Sequence, residues 1–375
     1  MLRRLTTKHT IIVTIISSAF SLLLGEFAVR WLFPNPAFYT GQPGNVPGLV
    51  IRHDVRGYTW NPGFRGRMTT AEFSNEYLIS TQGLRDEPVV DSDELRILAV
   101  GDSFTGGEGV ESSQTWPKQF QDKLNSATGL RRTVRVVNAG VSGYSVKQMR
   151  QMAEELVPLY SPELVIIGVF PGGSDRIDNP YVLYGEHLVR TRDVPNMRVV
   201  EGGFLWYDSA FENGIAARIE VWSQYNWHFA AYLLKAFHKI AGMLNPIWGL
   251  ADARSEDVEL EMEPIFDELA LLNEYLKAQQ IPLLVLIISW QDSDGTFSTE
   301  EKLRARAVRI YCETHDIPNV EPTAYFESIA QGKPVLRFKH DDHWTPIAHS
   351  GAAEFIRLHG MPISVDRMSF DKISR

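Results

Sequence analysis

Short apolar runs separated by amphipathic stretches constrain this chain more than any other feature. Leu95-Arg96-Ile97-Leu98-Ala99-Val100 is one such run, and a helix-spaced pattern at Trp116, Phe120 and Leu124 follows it. Residues 134–137 form the next run, a helix-spaced segment covers 146–159, and Leu164-Val165-Ile166-Ile167 comes after that. A longer helical pattern over about 264–279 leads into a fourth run at 282–288. A strand that is apolar on both faces must be covered on both, and the helices connecting parallel strands supply that cover. The expectation is an α/β domain around a parallel sheet. In such sheets ligands bind beyond the carboxyl ends of the strands, where the punctuated segments of this chain fall.

The flanking segments read differently. Arg3, Arg4 and Lys8 precede an apolar stretch over 11–24, which Phe27, Ala28, Val29, Trp31, Leu32 and Phe33 extend past Glu26 and Arg30. Positive charge before an apolar run holds the N-terminus in the cytoplasm and sends the downstream chain across the membrane. Leu22, Leu23 and Leu24 stand where a cleavage site would want small residues, so an uncleaved signal anchor over 1–33 fits better than a cleaved signal peptide. The body is therefore expected on the exported side of the cytoplasmic membrane, periplasmic or extracellular. Residues 34–60 are rich in Pro, Gly and Asn and read as a linker. With the turns at Gly63, Gly66 and Gly83 and a strand over 76–80, residues 34–93 are read as a linker and a small β-rich element. The main domain then occupies 94–365.

An insertion at about 180–262 interrupts that domain. It carries Phe204, Trp206, Tyr207, Trp222, Tyr225, Trp227, Phe229, Tyr232, Phe237 and Trp248, with helical spacing over 219–240. These aromatics read first as the core of an added helical subdomain, and second as a cap that stacks on a sugar or holds an acyl chain. Net charge is −9, from 37 Lys and Arg against 46 Asp and Glu. No basic stripe lies beyond the first residues and Arg131-Arg132, which excludes a nucleic-acid partner. The single cysteine, Cys312, excludes an intramolecular disulfide and, lying in an apolar-periodic stretch, reads as an inert core thiol.

The residues that carry chemistry stand at the expected strand ends. Gly101-Asp102-Ser103 follows the first run where the chain turns toward a helix, so Ser103 is a candidate nucleophile with backbone N–H groups near it. A serine hydroxyl also needs a base, a carboxylate to orient that base, and donors for an oxyanion. His343, within Asp341-Asp342-His343-Trp344, is the candidate base. Asp341, two residues earlier, can hold the imidazole in the required tautomer. Asn138-Ala139-Gly140 and Gly172-Gly173-Ser174-Asp175 end the second and third runs; Gly140 offers a backbone donor and Ser174 a side-chain donor. Asp102, Gly172, Asp175, Trp290 and Trp344 are further candidates for the substrate pocket. No zinc-ligand spacing or dinucleotide fingerprint occurs, and Gly106-Gly107-Glu108-Gly109 lacks the lysine of a phosphate loop, so no metal or cofactor is expected.

The ordered set Gly101-Asp102-Ser103, Gly140, Gly172-x-Ser174-Asp175 and Asp341-x-His343-Trp344 resembles the SGNH (GDSL-type) hydrolase superfamily. The resemblance spans about 95–360. It implies a three-layer α/β/α domain with a five-stranded parallel sheet of flavodoxin-like order. It also implies Ser103 as nucleophile and oxyanion donor, Gly140 and Ser174 as the other donors, and an Asp341–His343 acid–base pair. Two positions depart from the family pattern. Ser174 stands where the family has asparagine, and the acid lies two residues before the histidine, since His340 occupies the usual position. The Asp-x-His-Trp variant is similar to membrane-associated polysaccharide O-acetyltransferases related to alginate acetylation. These features imply a serine esterase or O-acyltransferase, acting through an acyl-serine intermediate on cell-envelope glycan or lipid esters. A non-catalytic glycan-binding or scaffold protein on a degenerate hydrolase fold is the alternative, and Ser174 is the feature in its favour.

Overall fold

The computed structural model describes residues 7–32, 46, 48–70, 72–89, 93–127, 132–178, 180–184, 187–191, 197–199, 205–207, 227, 229, 255–339 and 341–360. The chain divides into two units. One comprises Met1–Thr40, Thr69–Ala71 and Asn196–Ala251, the other Gly41–Met68, Glu72–Pro195 and Asp252–Arg375. Helix α1 (Thr7–Leu32) belongs to the first unit. Its segment His9–Leu32 has a mean hydropathy of 2.0, and Ile15, Phe20 and Leu23 on it are exposed. At about 1.5 Å per residue such a helix exceeds the roughly 30 Å of a hydrocarbon core. The same length and composition fit a signal sequence. The two charges that interrupt it, Glu26 and Arg30, pair with each other at 2.6 Å one turn apart.

The second unit opens with hairpins. Strands β1 (Val50–His53) and β2 (Gly57–Trp60) pair antiparallel, Val50 opposite Trp60. Strands β3 (Arg65–Thr69) and β4 (Ser74–Leu78) form another two-stranded sheet. Part of the segment read as linker is thus ordered β structure, and the strand expected at 76–80 lies two residues earlier. The reason is side-chain anchoring that the Pro/Gly content conceals. Tyr58 and Trp60 alternate inward and are fully buried. Tyr58 Oη donates to the Ser142 carbonyl (2.7 Å) and Trp60 Nε1 to the Gly140 carbonyl (2.9 Å). Tyr144 Oη returns a bond to the Tyr58 carbonyl at 2.7 Å. The hairpin thereby holds the loop that follows the second core strand.

The core begins with β5 (Leu95–Gly101), which feeds the single-turn helix α2 (Ser103–Gly106) and then α3 (Trp116–Asn125). Strand β6 (Val134–Gly140), helix α4 (Val146–Tyr160) and strand β7 (Leu164–Val169) follow. Ser145 caps α4 through a reciprocal capping box with Gln148. A 3-10 turn over Pro171–Arg176 leads to the hairpin β8 (Tyr181–Tyr184) and β9 (His187–Arg190). The first unit then supplies the short pair β10 (Met197–Val199) and β11 (Leu205–Tyr207). Most of the insertion expected at 180–262, including its helical spacing over 219–240, lies outside the described residues. The second unit resumes with α5 (Ser255–Ala278), β12 (Leu283–Ile287), α6 (Thr299–Thr314), β13 (Asn319–Val320), α7 (Thr323–Ala330) and α8 (Pro346–His359).

The five central strands run in the order β13-β12-β7-β5-β6, every neighbour parallel. Counted from the first core strand this is 2-1-3-4-5, the flavodoxin-like order that was expected. The fifth strand has two residues, which is why no run in the sequence announces it. On one face Leu95, Ile97 and Ala99 pack with Phe120 and Leu124 of α3 and with Ala348, Ala352 and Ile356 of α8. On the other, α4 lies beside β5, and Arg150 ties α4 to α5 through Glu268 at 2.6 Å. Cys312 is fully buried on α6, and burial pushes its thiol up to about 12, as expected of an unreactive core cysteine.

Candidate active site

Ser103 is the first residue of α2, just beyond the carboxyl end of β5, so its N–H is one that the helix itself cannot use. The turn is tight because glycine lines its floor. Gly101 is in register with Gly140 on β6 and Gly168 on β7. A Cβ at Gly140 would lie 2.1 Å from the Gly106 nitrogen, and one at Gly168 would lie 2.5 Å from Thr105 Oγ1. Glycine at these strand ends lets α2 settle onto the sheet. Asp102, fully buried, caps α2 by accepting the Phe104 N–H at 3.1 Å and pairs with Arg176 at 3.0 Å. Arg85 closes the far side of the turn, donating to the carbonyls of Gly106 (2.7 Å), Gly107 and Val110 (2.6 Å).

His343 arrives from the other end of the chain. Its loop is pinned by the Thr345 N–H on the Leu336 carbonyl (3.0 Å) and by Thr345 Oγ1 on the Val335 carbonyl (2.7 Å). Gln291 spans the same loop, bonding the Gly295 and Lys333 carbonyls and the Leu336 N–H. His343 Nε2 lies 2.7 Å from Ser103 Oγ, and Nδ1 lies 2.6 Å from Asp341 Oδ1. The same Asp341 oxygen accepts the His343 backbone N–H at 2.9 Å, which sets carboxylate and ring in one frame. The neighbouring Asp342 pairs with Arg337 instead. With Asp341 ionised, Nδ1 carries the proton and Nε2 faces the serine hydroxyl.

The electrostatics bear on the base. Burial alone would lower the His343 pKa, but Glu108, Asp341 and Asp102 outweigh it and lift it to about 9. Burial likewise works to raise Asp341, yet the bonds and charge of His343, with Arg337 beyond, hold that carboxyl below its usual range. Glu108 is only 4% exposed, and its Oε2 stands 3.7 Å from His343 Nε2. Burial pushes its carboxyl up to about 7 against the attraction of His343. A pocket of about 90 Å³ opens on these groups, lined by Ser103, Glu108, Ser142, Gly143, Arg176, Tyr181, Leu188 and His343.

Ser103, His343 and Asp341 are therefore brought together as a hydrogen-bonded chain, while the other expected site residues meet different partners. Gly140 does not face the pocket as a free donor. Its N–H is taken by Asn138 Oδ1 at 3.0 Å and its carbonyl by Trp60, and its lack of a side chain serves the approach of α2. The pocket glycine is Gly143, in a turn with φ of +79°. Ser174 donates to Glu261 Oε1 at 2.9 Å, so its hydroxyl is committed to α5 rather than to Ser103. Asp102 is a cap and ion-pair partner beneath the site. Gly172 sits against the Phe170 ring, where a Cβ would meet it at 2.6 Å. Asp175 pairs with Arg190 at 3.0 Å. Trp290 packs edge-on to Phe170, and Trp344 is core, its Nε1 bound to the Ser289 carbonyl at 2.8 Å. None of these five is a pocket-lining residue.

The lining residues the sequence did not reveal are Glu108, Ser142, Gly143, Arg176, Tyr181 and Leu188. A signal existed for two of them. Glu108 follows Ser103 by five residues inside a glycine-rich turn, and Gly143 stands three residues past a strand-end glycine.

No protein-family model matches the chain. No curated protein matches it either. Several solved structures are similar in fold. One is a member of the lipolytic protein G-D-S-L family from Veillonella parvula, 12% identical over 72% of this chain and 99% of that one, with a TM-score of 0.38. Another is the lipase/acylhydrolase from Enterococcus faecalis, 13% identical over 71% and 95%, TM-score 0.39. A third is a catalytic mutant of Axe2, an acetylxylan esterase from Geobacillus stearothermophilus, 15% identical over 74% and 97%, TM-score 0.40. Likeness at this distance bears on neither activity nor substrate.

Proposed function

We propose that this chain is a serine ester hydrolase or O-acyltransferase that works through an acyl-Ser103 intermediate. One observation carries the reading: Ser103 Oγ, His343 and Asp341 form an unbroken relay, with links of 2.7 and 2.6 Å. His343 Nε2 takes the Ser103 proton as Oγ bonds to the acyl carbon. The imidazolium then returns that proton to the leaving alcohol as its C–O bond breaks. In the second half, His343 takes a proton from water or from an acceptor hydroxyl, whose oxygen displaces Ser103 Oγ. Ser103 and Gly143 both line the pocket, and their N–H groups are the oxyanion donors in this reading. The acyl group in this reading is acetyl, as the resemblance carried by Asp341-x-His343-Trp344 implies.

A serine-directed fluorophosphonate is expected to label the protein and to leave Ser103→Ala unlabelled. Equal labelling of both, or of neither, ends the enzyme reading. The apolar α1 after Arg3 and Arg4 supports a membrane-tethered domain on the exported side, with an envelope glycan or lipid ester as its substrate. A C-terminal reporter enzyme that works only outside the cytoplasm is expected to be active; silence, with a cytoplasmic reporter active instead, reverses the orientation.

A further inference from the structure

The second half-reaction needs a nucleophile that is oriented as well as deprotonated. Water carries two protons and His343 Nε2 can take only one. The other needs an acceptor, or the molecule rotates away from the line of attack. Glu108 supplies an oxygen in the right place. Its Oε2 lies 3.7 Å from His343 Nε2, too far for a direct hydrogen bond and near enough for one water to reach both atoms.

The side chain is built into the same turn as the nucleophile. The Glu108 N–H donates to the Ser103 carbonyl at 2.9 Å, and Arg85 fixes the carbonyls of Gly106, Gly107 and Val110 on either side. Ser142, also on the pocket, helps hold the carboxyl ionised, and a carboxylate has acceptor capacity for more than one donor. A buried carboxylate beside a base is expensive to maintain for packing alone.

We propose that Glu108 positions the hydrolytic water on acyl-Ser103, accepting a hydrogen bond from the water proton that His343 does not take. This rests on the serine reading above. The balance is simple. The water oxygen bonds to the acyl carbon, one water proton passes to His343 Nε2, and Glu108 keeps its hydrogen bond to the other. The C–Oγ bond then breaks, the imidazolium proton goes to Ser103 Oγ, and the carboxylic acid leaves. Glu108 gains no proton in the cycle. His343 loses its own proton in a range where Glu108, near 7, is already ionised, so base and acceptor are available together. An alcohol has a single hydroxyl proton and needs only His343, so Glu108 favours hydrolysis over transfer.

The test uses the full chain with p-nitrophenyl acetate and added methanol, measuring acetate against methyl acetate. Glu108→Gln is expected to raise the ratio of transfer to hydrolysis by about 10–100-fold, the scale of a misplaced reactant, with the first p-nitrophenol release retained as a burst. Glu108→Asp keeps the charge and withdraws the oxygens, and is expected to shift the ratio in the same direction; it decides the matter if the Gln chain does not fold. An unchanged ratio overturns the proposal, whether rates hold steady or both half-reactions slow together. If the parent chain releases no p-nitrophenol, or Ser103→Ala releases it equally well, the serine reading fails instead.

Discussion

In His343→Ala, turnover of p-nitrophenyl acetate is expected to fall by about 10⁴-fold or more, because a serine hydroxyl without its base is scarcely ionised near neutral pH. Among the described residues no substitute stands as close. Glu108 Oε2 lies 3.7 Å from Nε2, whereas Nε2 itself is 2.7 Å from Ser103 Oγ. Alanine would leave a gap beside Phe104, whose ring centroid is 5.3 Å from that of His343. The measurement therefore pairs steady-state kinetics with thermal melting. A folded His343→Ala chain within tenfold of the parent would remove His343 from the mechanism.

Asp341→Asn is expected to cost about 10³–10⁴ in kcat, because an amide in place of the carboxylate favours the wrong imidazole tautomer and leaves the imidazolium less stabilised. The pH profile gives a second readout. His343 acts as a base only when neutral, and its pKa is raised to about 9 by the carboxylates that face it, Glu108, Asp341 and Asp102. The parent kcat/KM should therefore climb with pH up to about 9. A raised pKa is held up by negative neighbours, so removing one lowers it. The residual activity of Asp341→Asn should level off at a lower pH than that of the parent. A limb that stays in place would mean that a group other than His343 controls it. Arg337 and Arg176 also lie near, paired with Asp342 and Asp102 respectively, and both substitutions leave those pairs intact.

The architecture was legible because its causes are local. Residues 95–100, 134–137, 164–167 and 282–288 are apolar on both faces, and only a doubly covered parallel sheet accommodates four such runs. Ser103 could be picked out because it stands just past a strand end, and Asp341-x-His343 because a serine nucleophile demands a base with an orienting acid beside it. Other features stayed hidden for physical reasons. Pro/Gly content suggested a linker where Tyr58 and Trp60 in fact anchor a hairpin, since the partners they bond lie about 80 residues away. Strand β13 has too few residues to make a pattern.

Ser103, His343 and Asp341, which the proposed mechanism uses, could thus be picked out in the sequence itself, as could the sheet that carries Ser103. The donors and the pocket were decided only in three dimensions. Gly140 and Ser174 occupy plausible sequence positions, yet Asn138 and Glu261 take up their hydrogen-bonding groups. Glu108 and Gly143 reach the pocket through the path of two tight turns, and Tyr181 and Leu188 through a hairpin. The physical reason is that residue type reports what a group can do, whereas a hydrogen bond has only a few tenths of an ångström of tolerance. Which partner each group meets at that distance depends on how distant segments pack.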